Sequence, residues 1–210
     1  MDNLDQLFNQ VLKDLHPLFR QAGFRKSSQN FTIESEECWG IVNFQKSRWS
    51  SPEEKTFYIN VAATSKRVMA FDGELSEKAP TYYSCIWQAR AGQLKEPSGA
   101  EQWTIRDRDS LDRIVDQLKV LFAESVFPKL KALMSEQAIF SAWSGKLTYP
   151  QLRAKSIVFS ADNKLPELRH TIFALYENYR TGNLSTIVND HVHKLRQKFP
   201  TTMQSLNDIS

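Results

Sequence analysis

The chain has 210 residues, 41% of them hydrophobic and 24% charged, with only 7 Gly and 8 Pro, a composition that belongs to a folded globule and excludes a disordered tail. Its net charge of +3 is spread thinly: residues 1–109 hold 14 Lys/Arg against 15 Asp/Glu, and residues 110–210 hold 13 against 9, with no run of like charge. Two cysteines, Cys38 and Cys85, exclude a disulfide framework and a C-x-x-C zinc or redox motif.

The start, Met1-Asp2-Asn3-Leu4-Asp5, carries neither a basic region nor an apolar run, and no later segment has the length of a membrane span, so the expectation is a cytoplasmic protein with no membrane partner. Apolar residues at Leu4, Leu7, Phe8, Val11, Leu12, Leu15, Leu18, Phe19 and Ala22 then trace one helical face. Asp2 or Asn3 is placed to cap that helix and Gly23 to end it. Pro17 should bend or interrupt it near His16, because proline removes a helical hydrogen bond.

After this the period changes to two. Phe31 and Ile33, Trp39 to Gln45, Phe57 to Ala63, Thr81 to Ala91 and Trp103 to Ile105 read as strands, separated mostly by hairpin-length connections. Such short links favour antiparallel neighbours. The fold class expected is therefore α+β: an antiparallel β-meander of about five strands, packed by an N-terminal helix and several C-terminal helices.

A second amphipathic helix follows Asp109 or Ser110, with Leu111, Ile114, Val115, Leu118, Leu121 and Phe122 on one face, and Pro128 should end or kink it. Leu130 to Ala142 continues as helix until Ser144-Gly145. Helical spacing returns from Leu165 to Tyr179 and from Leu184 to Phe199, and the last ten residues are expected to fray. The division expected is a sheet domain over residues 1–145 and a helical extension over 146–210, packed on the same domain.

Near misses to catalytic motifs fail on chemistry. Ser144-Gly145-Lys146-Leu147-Thr148 resembles the end of a phosphate-binding loop, but Phe140 stands where its first Gly belongs and Leu147 where the magnesium-binding hydroxyl belongs. In Asp190-His191-Val192-His193 the two imidazoles are two residues apart, and on a helix such residues point to nearly opposite sides. His191 falls on the apolar stripe and His193 faces away, so no metal site is expected, and neither a cofactor nor a catalytic residue is assigned.

The sheet offers a better candidate. Asn43 and Gln45 share one strand face and Tyr58 and Asn60 share another; if the two faces coincide, their polar groups converge. Lys46, Arg48 and Trp49 follow at the strand end and would extend the patch toward an anionic or peptide ligand. The plainer alternative is a solvated face with amides that tie strands to loops. Basic residues beside aromatics, as at Arg48-Trp49, Arg67, Arg90 and Arg106-Asp107-Arg108, raise single-stranded nucleic acid as a ligand, although acids interleave with them and no basic stripe is visible, so ordinary solubilising charge is the better account.

Several strings resemble a bacterial family known as domain of unknown function 4304: Gly23-Phe24-Arg25-Lys26, Asn43-Phe44-Gln45-Lys46, Phe57-Tyr58-Ile59-Asn60, Arg90-Ala91-Gly92-Gln93-Leu94, and Trp103 with Ile105. The resemblance covers about residues 1–145; Thr104 stands where such families place a second Trp. It implies a compact α+β domain with little chemistry, and by analogy of class an immunity or accessory protein that binds a protein partner. The function expected is thus a non-enzymatic protein-interaction module. Its alternatives are a nucleic-acid-binding protein using the basic second half and an enzyme using the polar sheet face.

Overall fold

The computed structural model describes residues 3–73, 78–96, 98–179, 181 and 183–207. The chain divides into two compact units, Met1–Ser65 with Ser76–Ile139 and Lys66–Leu75 with Phe140–Ser210.

The first unit opens with helix α1 (Leu4–Gln21), whose N-terminus is capped by the Asn3 side chain accepting from the Asp5 N–H; Asp2 lies outside the described residues. Leu7, Phe8, Val11, Leu12, Leu15 and Phe19 form its buried stripe. Pro17 does not interrupt the helix, because it sits on the exposed face, where water can satisfy the carbonyl one turn back. Gly23 ends it with φ +93°, a left-handed conformation that glycine adopts without strain.

A six-stranded sheet follows: β1 (Arg25–Ser27), β2 (Asn30–Glu34), β3 (Cys38–Lys46), β4 (Lys55–Ser65), β5 (Trp87–Arg90) and β6 (Gln102–Ile105), in the order β1-β2-β3-β4-β5 with β6 also on β4. All pairs are antiparallel. The far edge of β4 is shared, since β6 pairs with Lys55 to Tyr58 and β5 with Asn60 to Ala63. Together β5 and β6 amount to one partner strand broken by an excursion over residues 91–101. Two glycines in it have their backbones in close approach: a Cβ on Gly92 would stand 2.0 Å from the Ala100 carbonyl oxygen, and one on Gly99 2.0 Å from that of Gly92.

One sheet face, bearing Val42, Phe44, Phe57, Ile59 and Val61, meets an aromatic core. Phe19 touches Phe24, Phe31, Phe44, Phe122 and Phe127, at ring-centroid distances of 3.9 to 6.3 Å. Phe57 extends the cluster to Phe8 and Trp103. Helix α3 (Arg108–Leu121) begins at a capping box in which the Ser110 N–H donates to Asp107 Oδ1 at 2.7 Å, so the cap is Asp107 and not the expected Asp109 or Ser110. A π-helical turn (Phe122–Val126) then leads directly into α4 (Phe127–Ala132). Pro128 is thereby accommodated rather than ending the helix, because the widened turn makes room for its ring.

Between β4 and β5 the expected strand from Thr81 is shorter than its sequence pattern suggests. Only residues 87–90 pair; residues 82–84 form a 3-10 turn, and Tyr82 and Cys85 pack on Ile41 and Ala62 of the second sheet face. The alternating pattern there serves a segment laid across the sheet and not beside it.

The second unit is helical: α2 (Lys66–Phe71), then, after α5 (Glu136–Ser141) in which the division falls, α6 (Tyr149–Ala161), α7 (Leu165–Tyr179), α8 (Asn183–Lys198) and α9 (Pro200–Asn207). Helix α6 escapes the periodicity reading because its buried residues, Leu152, Ala154, Ser156, Ile157, Val158 and Ser160, surround much of its circumference and include two serines. Helix α9 (Pro200–Asn207) replaces the expected fraying over residues 201–207, with Thr202 and Met203 buried; residues 208–210 are not described.

Candidate functional site

Register decides which polar residues meet. Asn43 lies opposite Asn60 and Gln45 opposite Tyr58 across β3 and β4, so the four share the second sheet face as strand parity requires. Across the next pair Asn60 lies opposite Arg90, and across β2 and β3 Asn30 lies opposite Asn43. Three strand pairings therefore line up one polar row.

Hydrogen bonds run the length of this row. Asn43 Nδ2 donates to Asn30 Oδ1 at 2.6 Å, and Asn60 Nδ2 donates to Asn43 Oδ1 and to Gln45 Oε1, each at 3.0 Å. Gln45 Oε1 also accepts from the Tyr82 hydroxyl at 2.9 Å, while Gln45 Nε2 donates to the Tyr83 hydroxyl oxygen at 3.2 Å. Arg90 Nη1 donates to Asn60 Oδ1, and its guanidinium lies over the Tyr58 ring, 4.7 Å from the centroid. Asn60, at the centre, is 4% exposed.

Arg90 sets the polarity of the whole row. A guanidinium only donates, so Asn60 must turn its oxygen toward Arg90 and its NH2 toward Asn43 and Gln45. Those two must then offer oxygens, which sends the Asn43 NH2 to Asn30 and the Gln45 NH2 to Tyr83. Tyr82 must remain protonated to donate; burial raises its hydroxyl above the ordinary tyrosine range, and the adjoining Tyr83 hydroxyl adds to this.

Asn60, Tyr82, Tyr83, Gln88, Arg90 and Gln93 border a concavity of about 320 Å³ at the end of the row. Gln88 Nε2 is turned to the Tyr83 and Cys85 carbonyls, and Gln93 Nε2 to Glu101 at 2.8 Å. Among the described residues Arg90 has no carboxylate partner.

The other residues expected at this site go elsewhere. Lys46 points to the opposite sheet face, where it pairs with Asp5 at 2.8 Å and lies over Phe8, because it differs by one position from Gln45 and strand side chains alternate. Arg48 and Trp49 lie in the β3–β4 connection, both exposed, Trp49 at 89%. Tyr83, 67% exposed, supplies the aromatic rim instead. Sequence reasoning missed Asn30, Tyr82, Tyr83 and Arg90 as members of the row, since their joining depends on cross-strand register. Of the other arginines weighed for nucleic acid, Arg67 pairs with Asp162, Arg106 with Glu54 at 3.0 Å and Arg108 with Asp112 at 3.8 Å.

In the helical unit His191 is 3% exposed and His193 exposed, on the two sides that their spacing requires. Ser156 Oγ donates to the Arg153 carbonyl at 2.8 Å, so it accepts from His191 Nε2 at 2.7 Å, and the His191 proton sits on Nε2. Burial, with the charges of Arg153 and Lys194, pushes the His191 imidazole down to about 3. Among the described residues Nδ1 has no hydrogen-bond partner. Among the described residues no group of three or more His, Cys, Asp or Glu is placed to hold a metal ion, and no helix is long and apolar enough to cross a membrane.

Residues 15–132, more than half of the chain, match the family model described as "Domain of unknown function (DUF4304)". The whole polar row, from Asn30 to Arg90, falls inside that stretch. No curated protein and no solved structure matches.

Proposed function

The chain belongs to the DUF4304 family, and from that premise we propose that it is a non-enzymatic protein-interaction module whose contact surface is the polar end of the second sheet face. The lining of the concavity carries the reading: every polar side chain there is an amide, a tyrosine or an arginine. Amides neither give nor take protons near neutral pH, Tyr82 is held protonated, and the guanidinium stays charged, so the set recognises a surface without supplying a general base or nucleophile. Tyrosine and arginine are also residue types enriched at binding hot spots, and the row is held in place by its own hydrogen bonds before any partner arrives.

The specific role proposed is that of an accessory or immunity protein, acting by occupying a partner's surface. Capture from lysate of the native cell, with the wild-type chain and Tyr83→Ala as paired baits, tests it. We expect at least one protein retained by the wild type to be lost or reduced more than tenfold with Y83A. Identical retention on both baits would exclude this surface. Trp49→Ala and Arg48→Glu report separately on the exposed β3–β4 connection, which we expect to act only at the rim, with a change below about threefold.

A further inference from the structure

The row has an unfinished end. Arg90 uses one donor on Asn60, its face rests on Tyr58, and no carboxylate answers its charge among the described residues. A guanidinium carries several N–H donors in a planar fork that matches a carboxylate. Tyr83 has a matching vacancy of valence: its oxygen accepts from Gln45, so its own proton is available to donate beyond the row. Both groups border the same concavity, and among the described residues no carboxylate lines it; Gln93 there is engaged with the exposed Glu101.

We propose that the concavity bordered by Arg90 and Tyr83 is a carboxylate pocket that takes the side chain of an Asp or Glu from the protein partner. Its assignment to a protein side chain rests on the interaction reading above; the carboxylate chemistry rests on the geometry alone. Asn60 positions the fork by holding Nη1, and Tyr58 holds its plane, so the site is organised before the acid enters. The volume, about 320 Å³, is at the small end of ligand pockets and suits one side chain better than a large cofactor.

The test uses the full chain, 15N-labelled, titrated with acetyl-Gly-Glu-Gly-amide, its Gln counterpart and glutarate, with the Asn60 and Gln45 side-chain amide resonances as reporters. We expect saturable shifts with the Glu peptide and at least tenfold weaker binding of the Gln peptide. Arg90→Gln should weaken the Glu peptide more than tenfold and Tyr83→Phe about threefold. If R90Q loses its dispersed spectrum, Arg90→Lys, which keeps the charge but not the fork, is read in its place with the same tenfold expectation. Equal binding of Glu and Gln peptides, or binding undiminished by the Arg90 variant, overturns the pocket. Glutarate binding more than tenfold tighter than the Glu peptide overturns only the assignment to a protein side chain, and with it the interaction reading, while the carboxylate chemistry stands.

Discussion

At the scale of single residues, Asn60 is where the polar row is most easily broken. Its amide satisfies Asn43 and Gln45 and is satisfied by Arg90, all at a buried position. Asn60→Ala leaves two amide oxygens and a guanidinium donor without their partner, and an unmet buried polar group costs about 1–3 kcal/mol. We expect N60A to lose about 3 kcal/mol in urea denaturation, and Asn43→Ala, less buried and with one row partner fewer, about half of that. How much of this was legible beforehand follows from the same residues. Strand parity alone puts Asn43 with Gln45 and Tyr58 with Asn60, which is enough to make the polar patch legible. Lys46 lies outside the expected patch because adjacency in sequence is opposition in a strand. Arg90 was out of reach, because its place beside Asn60 depends on how two strands thirty residues apart slide past each other.

Among the elements, the broken strand of β5 and β6 is the least forgiving. The intervening excursion brings the Gly92 and Gly99 backbones so close that neither has space for a methyl group, and the obstacle in each case is backbone. Gly92→Ala and Gly99→Ala should each lower stability by about 3 kcal/mol, the upper part of the range for overpacking, with a matching fall in melting temperature. Gly73→Ala is the control: φ there is +83° but among the described residues nothing lies within 4 Å, so only the strain of a left-handed residue, about 1 kcal/mol, is expected. Elements with one clean period, α1, α3 and β2 to β4, were legible from their spacing. The ones that escaped are short or lack a polar side: β1 has three residues, α2 has six, and α6 buries residues around most of its girth.

For the molecule as a whole, His191 gives stability a pH dependence whose direction is fixed. The ring is neutral in the fold and titrates near 3, against 6.5 for the unfolded chain, so the folded state binds fewer protons between those values. Stability is complete above about pH 6.5 and is lost as pH falls toward 3. At about 1.4 kcal/mol per unit the loss reaches about 2 kcal/mol by pH 5. The Asp5, Asp107 and Asp162 carboxyls, all lowered from 3.8 by their partners, add their own losses only further down. Urea midpoints at pH 7 and pH 5 should therefore differ in the wild type and nearly coincide in His191→Gln, which keeps a donor to Ser156 without the titration. An equal drop in H191Q would assign the effect to another group.

The segment Lys66–Leu75 belongs with residues that follow Phe140, although the chain reaches it midway through building the sheet. For anyone dissecting this protein by truncation, that makes every simple cut an unequal one. A fragment stopped at 139 or 145 keeps Val68, Met69 and Phe71 but removes α6, α8 and α9, including the Lys198 ammonium that donates to the Phe71 carbonyl. Such a fragment carries an orphaned apolar helix between β4 and β5 and should aggregate. Replacing residues 66–75 with a short polar turn is the excision that the contact pattern recommends, and the sheet unit made that way is the one with a prospect of folding alone.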